Sequence, residues 1–101
     1  MNLLLNAASA VRGVSKPSIT VRAARVDDLV RVEVEDNGPG VPADMRERIF
    51  LPFVTEKDVG EGTGLGLAVC RGLVEGAGGK ILVDAGYTRG ARFVVELPAL
   101  G

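Results

Sequence analysis

Val30-Arg31-Val32-Glu33-Val34-Glu35-Asp36-Asn37-Gly38-Pro39-Gly40 carries two signals at once. The strict alternation of valine with charged residues is the period of a half-buried β-strand. The Asp-Asn-Gly-Pro-Gly run that follows is a strong turn signal. Asp36 shares parity with Val30, Val32 and Val34, so it points toward the apolar face where the strand ends. A carboxylate in that position needs a hydrogen-bonding partner. Either Asp36 accepts hydrogen bonds from a ligand, with Gly38 and Gly40 letting backbone approach it closely, or the segment is simply a turn.

Upstream, Ile19, Val21 and Ala23 alternate in the same way, and Asp27-Asp28 supplies a turn between the two runs. Together they predict a hairpin with one wet face. Before it, Leu3 to Val11 is rich in leucine and alanine and reads as a short, largely buried helix ended by Gly13 and Pro17. Downstream, Ala43 to Phe50 predicts a short helix beginning near Pro42, and the polar, glycine-rich stretch from Thr55 to Gly64 predicts a mobile lid. A second helix follows, with Leu65, Val69 and Leu73 at one helical spacing, Leu67, Cys70 and Val74 at another, and Gly76, Gly78 and Gly79 as its stop. Ile81 to Asp84 and Phe93 to Leu97 predict a closing hairpin around Gly86 to Gly90. This order implies an α+β fold, a single domain over residues 1–101 with helices packed on one face of a mixed or antiparallel sheet.

Two further constellations carry chemistry. Gly60-Glu61-Gly62-Thr63-Gly64-Leu65-Gly66-Leu67 runs straight into the second helix. Glycines expose successive N–H groups and a helix N-terminus adds positive potential, a combination suited to phosphates, with the Thr63 hydroxyl and the Lys57 ammonium nearby. The run neither follows a strand nor ends in Gly-Lys-Ser/Thr, so Rossmann and P-loop readings fail; the alternative is a flexible helix cap. Asn2 and Asn6 lie one helical turn apart on one face. Their carboxamide oxygens suit Mg²⁺ bound to phosphates, the alternative being a polar stripe or terminal cap.

The bulk numbers exclude several classes. Hydrophobic residues are 47% and charged residues 25% of the 101, ordinary values for a folded domain of little spare stability. Twelve basic against thirteen acidic side chains leave a formal charge of -1, which does not resemble a surface for nucleic acid or anionic membrane. With no histidine and one cysteine, Cys70, the chain can build neither a Cys/His zinc site, a histidine general base nor an internal disulfide. Without a membrane-length apolar run or a signal-peptide pattern, a cytoplasmic location is expected.

Taken in order, Asn2-Leu3-Leu4-Leu5-Asn6-Ala7, Asp36-Asn37-Gly38-Pro39-Gly40-Val41, Ile49-Phe50-Leu51-Pro52-Phe53-Val54-Thr55-Glu56-Lys57, Gly62-Thr63-Gly64-Leu65-Gly66-Leu67 and Gly90-Ala91-Arg92-Phe93 form a series. It resembles the N box, first glycine box, F box, second glycine box and closing strand of the GHKL ATPases, in the sensor histidine kinase branch. Phe53-Val54-Thr55-Glu56-Lys57 and Gly66-Leu67-Ala68-Val69-Cys70 are similar to the nitrogen-regulatory type. Several motifs in the right order are far more specific than any one of them.

The resemblance implies a two-layer α/β sandwich on a mixed, mostly antiparallel sheet. It implies ATP and Mg²⁺ as cofactors, with Asn6 as the metal ligand and Asn2 assisting. Asp36 would accept the adenine exocyclic amine, and Gly38 and Gly40 would form the base-binding turn. Phe50, Pro52 and Phe53 would anchor the lid. Gly62, Thr63, Gly64, Leu65 and Gly66 would wrap the phosphates, with Lys57 as a phosphate contact. Partners would be a histidine-bearing dimerisation domain of the same kinase and a downstream response regulator.

Two departures stand out. The family's closing strand usually has threonine where this chain has Ala91, and its domain opens with a strand and helix before the N box, whereas Asn2 stands at position 2 here. An N-terminally truncated domain is therefore expected, with self-association through an uncovered apolar first helix. The chaperone, gyrase and mismatch-repair branches place a glutamate general base where this chain has Asn2. Asparagine cannot activate water, which disfavours an ATP-driven clamp and favours a protein histidine kinase catalytic domain lacking its acceptor histidine. A non-catalytic interaction domain is the alternative.

Overall fold

The computed structural model describes residues 2–51 and 66–99. Helix α1 spans Asn2–Ala10, strand β1 Ile19–Val26, strand β2 Leu29–Asp36, helix α2 Gly66–Gly76, strand β3 Lys80–Val83 and strand β4 Arg92–Pro98. The strands form one sheet in the order β1-β2-β4-β3, every pair antiparallel. The helices cover one face, so the expected α+β layering holds and the described sheet is antiparallel rather than mixed.

Register explains the two faces. Val21 pairs with Val34, Val34 with Phe93, and Phe93 with Val83, which puts these side chains in one row toward the helices. Asp36, two residues beyond Val34, shares that face and is 3% exposed. The opposite face carries Arg31, Glu33, Glu35, Lys80, Arg92 and Glu96, joined by ion pairs such as Arg31–Glu96 at 3.5 Å and Lys80–Glu96 at 3.3 Å. Exposed pairs of this kind contribute about 0–1 kcal/mol each, and they discourage register slips because a one-residue shift would turn the charges into the core.

The core gathers Ile49, Phe50, Val74, Ile81, Ala91, Phe93 and Val95. Phe50 meets Phe93 edge to face, with ring centroids 6.1 Å apart, a geometry that adds about 0.5–1.5 kcal/mol to the burial itself. Of the two apolar series on α2, Leu67, Cys70 and Val74 face this core, while Val69 and Leu73 are 52% and 72% exposed. Helix α2 closes in a Schellman arrangement. The Gly79 N–H donates to the Val74 carbonyl at 2.9 Å and the Gly78 N–H to that of Glu75 at 3.0 Å, with Gly78 at φ +86°.

Three expectations change. The helix predicted from Ala43 to Phe50 is instead two 3₁₀ turns, Ala43–Met45 and Arg48–Phe50. So short a segment holds few helical bonds, and burying Ile49 and Phe50 decides its path. The wet-and-dry hairpin is dry only along β2: Ile19 and Val21 are 39% and 53% exposed because α1 packs over β2, not β1. The described side chains of helix α1 are better covered than its composition suggests. Ala7 and Val11 are buried and Leu3 and Leu4 half-buried, so among the described residues the exposed large apolar side chains lie on β1, the start of β2, β3, α2 and at Leu51. The stretch from Thr55 to Gly64, predicted as a lid, lies outside the described residues.

Phe93 is 2% exposed, so Phe93→Ala is expected to cost about 3–5 kcal/mol in urea unfolding, whereas Leu73→Ala, at an exposed site, stays within about 0.5 kcal/mol of the parent.

Candidate functional site

Strand β2 delivers Asp36 to the helix-covered face at the point where the ladder ends. Its N–H donates to the Ala91 carbonyl at 2.9 Å. Its carboxylate is held by two backbone donors, Gly38 N–H at 2.9 Å and Ala91 N–H at 3.3 Å, both on Oδ1. Oδ2 takes no hydrogen bond from a described residue. No fully buried side-chain oxygen among the described residues lacks a partner, so Oδ2 keeps some access. The turn reading holds, since Asp36 closes a turn through Gly38, and Oδ2 is left without a bond from a described residue.

Glycine is required around this carboxylate because three pieces of backbone touch. A Cβ on Gly38 would lie 2.5 Å from the Ala10 carbonyl oxygen, at the end of α1. Gly90 adopts φ +154°, and a Cβ there would lie 2.0 Å from the Asp36 carbonyl oxygen. Gly40 sits against Gly90 in turn. The Asn37 side chain ties the turn back to the segment before β1, accepting from Ser18 N–H at 2.9 Å and donating to the Lys16 carbonyl at 2.7 Å.

The other sequence-derived candidates divide. Asn2 and Asn6 both fall on α1, which packs against β2 and α2, but their side chains lie outside what is described. Gly66 is the first residue of α2. Phe50 is buried in the core beneath α2, with the Arg71 guanidinium 5.8 Å from its ring centroid. Lys57, Gly62, Thr63, Gly64 and Leu65, together with Pro52 and Phe53, lie outside the described residues.

Sequence reasoning missed two things. Ala91 registered only as a departure from threonine, whereas its backbone N–H and C=O both engage Asp36. The second is an ionic cluster on the opposite face. Glu35, 6% exposed, accepts from Arg22 Nη1 at 2.6 Å and from Arg92 Nε at 2.7 Å. Arg92 also reaches Asp84 at 3.1 Å, and its guanidinium lies 4.3 Å from the Tyr87 ring centroid. Glu35, Arg22, Arg92 and Tyr87, with Thr88 and Arg89, line an open notch of ≈ 370 Å³. Alternation placed Glu35 on the wet face, but no single-sequence signal pairs it with a residue 57 positions away.

The matched family is the histidine kinase-, DNA gyrase B- and HSP90-like ATPase family, whose model covers residues 1–101. Sensor histidine kinase ZraS of Escherichia coli O157:H7 is 45% identical over 100 residues, which span 97% of this chain and 20% of that protein. The nucleotide-free catalytic domain of histidine kinase ThkA superposes with a TM-score of 0.82 at 38% identity, over 96% of this chain and 61% of that one. ThkA in complex with the response regulator protein TrrA superposes with a TM-score of 0.73 at 30% identity, over 98% of this chain and 28% of that one. The chain belongs to the histidine kinase-, DNA gyrase B- and HSP90-like ATPase family, and its relatives are sensor histidine kinases, of whose length it spans a fifth or less. No described helix is long and apolar enough to cross a membrane.

The Gly86 N–H and then the Arg92 guanidinium hold the Asp84 carboxyl below its ordinary pKa. A depressed carboxyl stabilises the fold above the ordinary carboxylate range and loses that contribution as pH falls through the folded value. Asp84→Asn is therefore expected to melt below the parent at pH 7, and the two melting curves should converge as acidification carries the pH through the depressed pKa of Asp84.

Proposed function

We propose that this chain is the nucleotide-holding catalytic domain of a sensor histidine kinase, binding Mg-ATP and presenting its γ-phosphate to a histidine on a separate dimerisation domain. The observation that carries the reading is the Asp36 carboxylate, buried at a strand end, with Oδ1 occupied by two backbone amides and Oδ2 left to accept. An adenine exocyclic amine offers the matching donor. Family membership and relatives among sensor kinases support the same reading.

In this reading the chain's own residues bind and orient. Gly38 and Gly40 bring backbone against the base, and the amides of Gly62 to Gly66 with the N-terminus of α2 receive the phosphates, Lys57 adding a charge. Asn6 would hold Mg²⁺ and Asn2 would assist; when bound, the metal neutralises charge building on the β- and γ-phosphate oxygens. Transfer needs an outside nucleophile, since the chain has no histidine and Asn2 cannot deprotonate water. An imidazole nitrogen of the partner domain would form the bond to the γ-phosphorus as the bond to the bridging oxygen breaks and ADP leaves. A response regulator would then take the phosphoryl group, in keeping with the ThkA–TrrA complex. The resemblance of Phe53 to Lys57 and of Gly66 to Cys70 to nitrogen-regulatory kinases suggests that subtype. A cytoplasmic site of action follows from the need for ATP.

Calorimetry with and without Mg²⁺ tests the pocket: Asp36→Ala is expected to weaken ATP binding by about 1–3 kcal/mol, the worth of a hydrogen bond to a buried charge. Parent-like affinity in that variant would sink the assignment. The purified chain should neither label itself nor turn over ATP above background, and a matching histidine-bearing helical domain added in trans should become phosphorylated. Steady turnover by the chain alone, abolished by Asn6→Ala, would favour an ATPase instead.

A further inference from the structure

The Glu35–Arg92 contact lies on the face of the sheet turned away from the helices, yet it stands one residue from both halves of the Asp36–Ala91 junction. Glu35 and Arg92 are the terminal register pair of β2 and β4. Beyond them the ladder gives way to the two bonds that hold Asp36, its N–H to the Ala91 carbonyl at 2.9 Å and the Ala91 N–H to its Oδ1 at 3.3 Å. The second is at the long limit of a useful hydrogen bond, so a small parting of the strand ends would break it.

The terminal pair is unusually well held. Arg92 places Nε at 2.7 Å and Nη2 at 2.6 Å on Glu35 Oε2, and the same oxygen receives Arg22 Nη1 at 2.6 Å from β1. Arg92 is fixed on its other side by Asp84 at 3.1 Å, just past the end of β3, and by the Tyr87 ring. The cluster thus links residues from β1, β2, β4 and the end of β3 beside Asp36, with Arg22 reaching Glu35 diagonally from its register position opposite Glu33. Glu35 has a side-chain exposure of 8%, so its charge is screened little by solvent, unlike the other ion pairs of this face.

We propose that Glu35 and Arg92 are positioning residues for the Asp36 pocket: their ion pair clamps the ends of β2 and β4, keeping the Ala91 N–H on Asp36 Oδ1 and so aiming Oδ2. Its consequence for nucleotide choice rests on the adenine reading above. The hydrogen-exchange consequence does not.

The test is amide hydrogen exchange by NMR on the 101-residue chain and on Arg92→Met, Arg92→Lys and the milder Glu35→Gln, with melting curves alongside. In Arg92→Met the Ala91 amide is expected to exchange on the order of tenfold faster relative to the Val94 and Val95 amides of the same strand, a local opening. Arg92→Lys should recover part of the protection. If Ala91 exchange rises only in step with Val94 and Val95, the pair contributes general stability and the clamp is refuted; unchanged exchange refutes it too. The second readout is the ATP affinity relative to inosine triphosphate, which lacks the exocyclic amine. It should fall several-fold in Arg92→Met, since a misaimed acceptor harms only the nucleotide with the matching donor. An unchanged ratio there, with a changed one in Asp36→Ala, overturns the nucleotide half of the proposal. An unchanged ratio in Asp36→Ala overturns the adenine reading instead, while exchange at Ala91 still decides the clamp.

Discussion

The rest of the structure depends on the two-way contact between Asp36 and Ala91. The Asp36 N–H donates to the Ala91 carbonyl, and the Ala91 N–H returns a bond to the Asp36 side chain. A carboxylate can be buried to 3% exposure only if donors replace the water it loses, and here those donors are backbone. That choice has a steric consequence. To bring amides within reach, the turn after β2, the end of α1 and the loop before β4 must touch backbone to backbone, so Gly38 and Gly90 have no room for a Cβ.

The two faces of the sheet divide the remaining work. Toward the helices, Phe93, Val95, Ile81 and Val34 form a dry surface that α1, α2 and the second 3₁₀ turn cover. Toward solvent, alternating acids and bases form cross-strand pairs that add little net stability but make the register unambiguous. Val94, 1% exposed, stands within that charged face between its register neighbours Glu33 and Leu82. Glu35 joins the two jobs, because its neighbour in the chain is the carboxylate of the site.

Much of this is legible in the sequence. The alternation from Val30 to Asp36 predicted the strand, its dry side and the oddity of Asp36, and each follows from a period of two that needs only local geometry. The glycines after Val74 predicted the helix stop for the same reason. Errors came where a local signal was weak or a distant element decided. The segment from Ala43 to Phe50 lacks the length for a stable helix and follows the demand to bury Ile49 and Phe50. Ile19 and Val21 have the right parity but no cover.

The site divides along the same line. By itself the sequence determined which residues are the candidates for that site: Asp36 on the dry face, Gly38 and Gly40 beside it, and an asparagine pair one helical turn apart in α1. Parity, turn propensity and helical spacing are properties of neighbours along the chain, so one sequence suffices to read them. Only the tertiary structure decided that Ala91 would supply a donor to Asp36, that Gly90 would pack on its carbonyl, and that Glu35 would bind both Arg22 and Arg92. These are choices of register between strands far apart in the chain. They are settled when β4 inserts between β2 and β3, an event driven by burial of the whole apolar face and by no single residue.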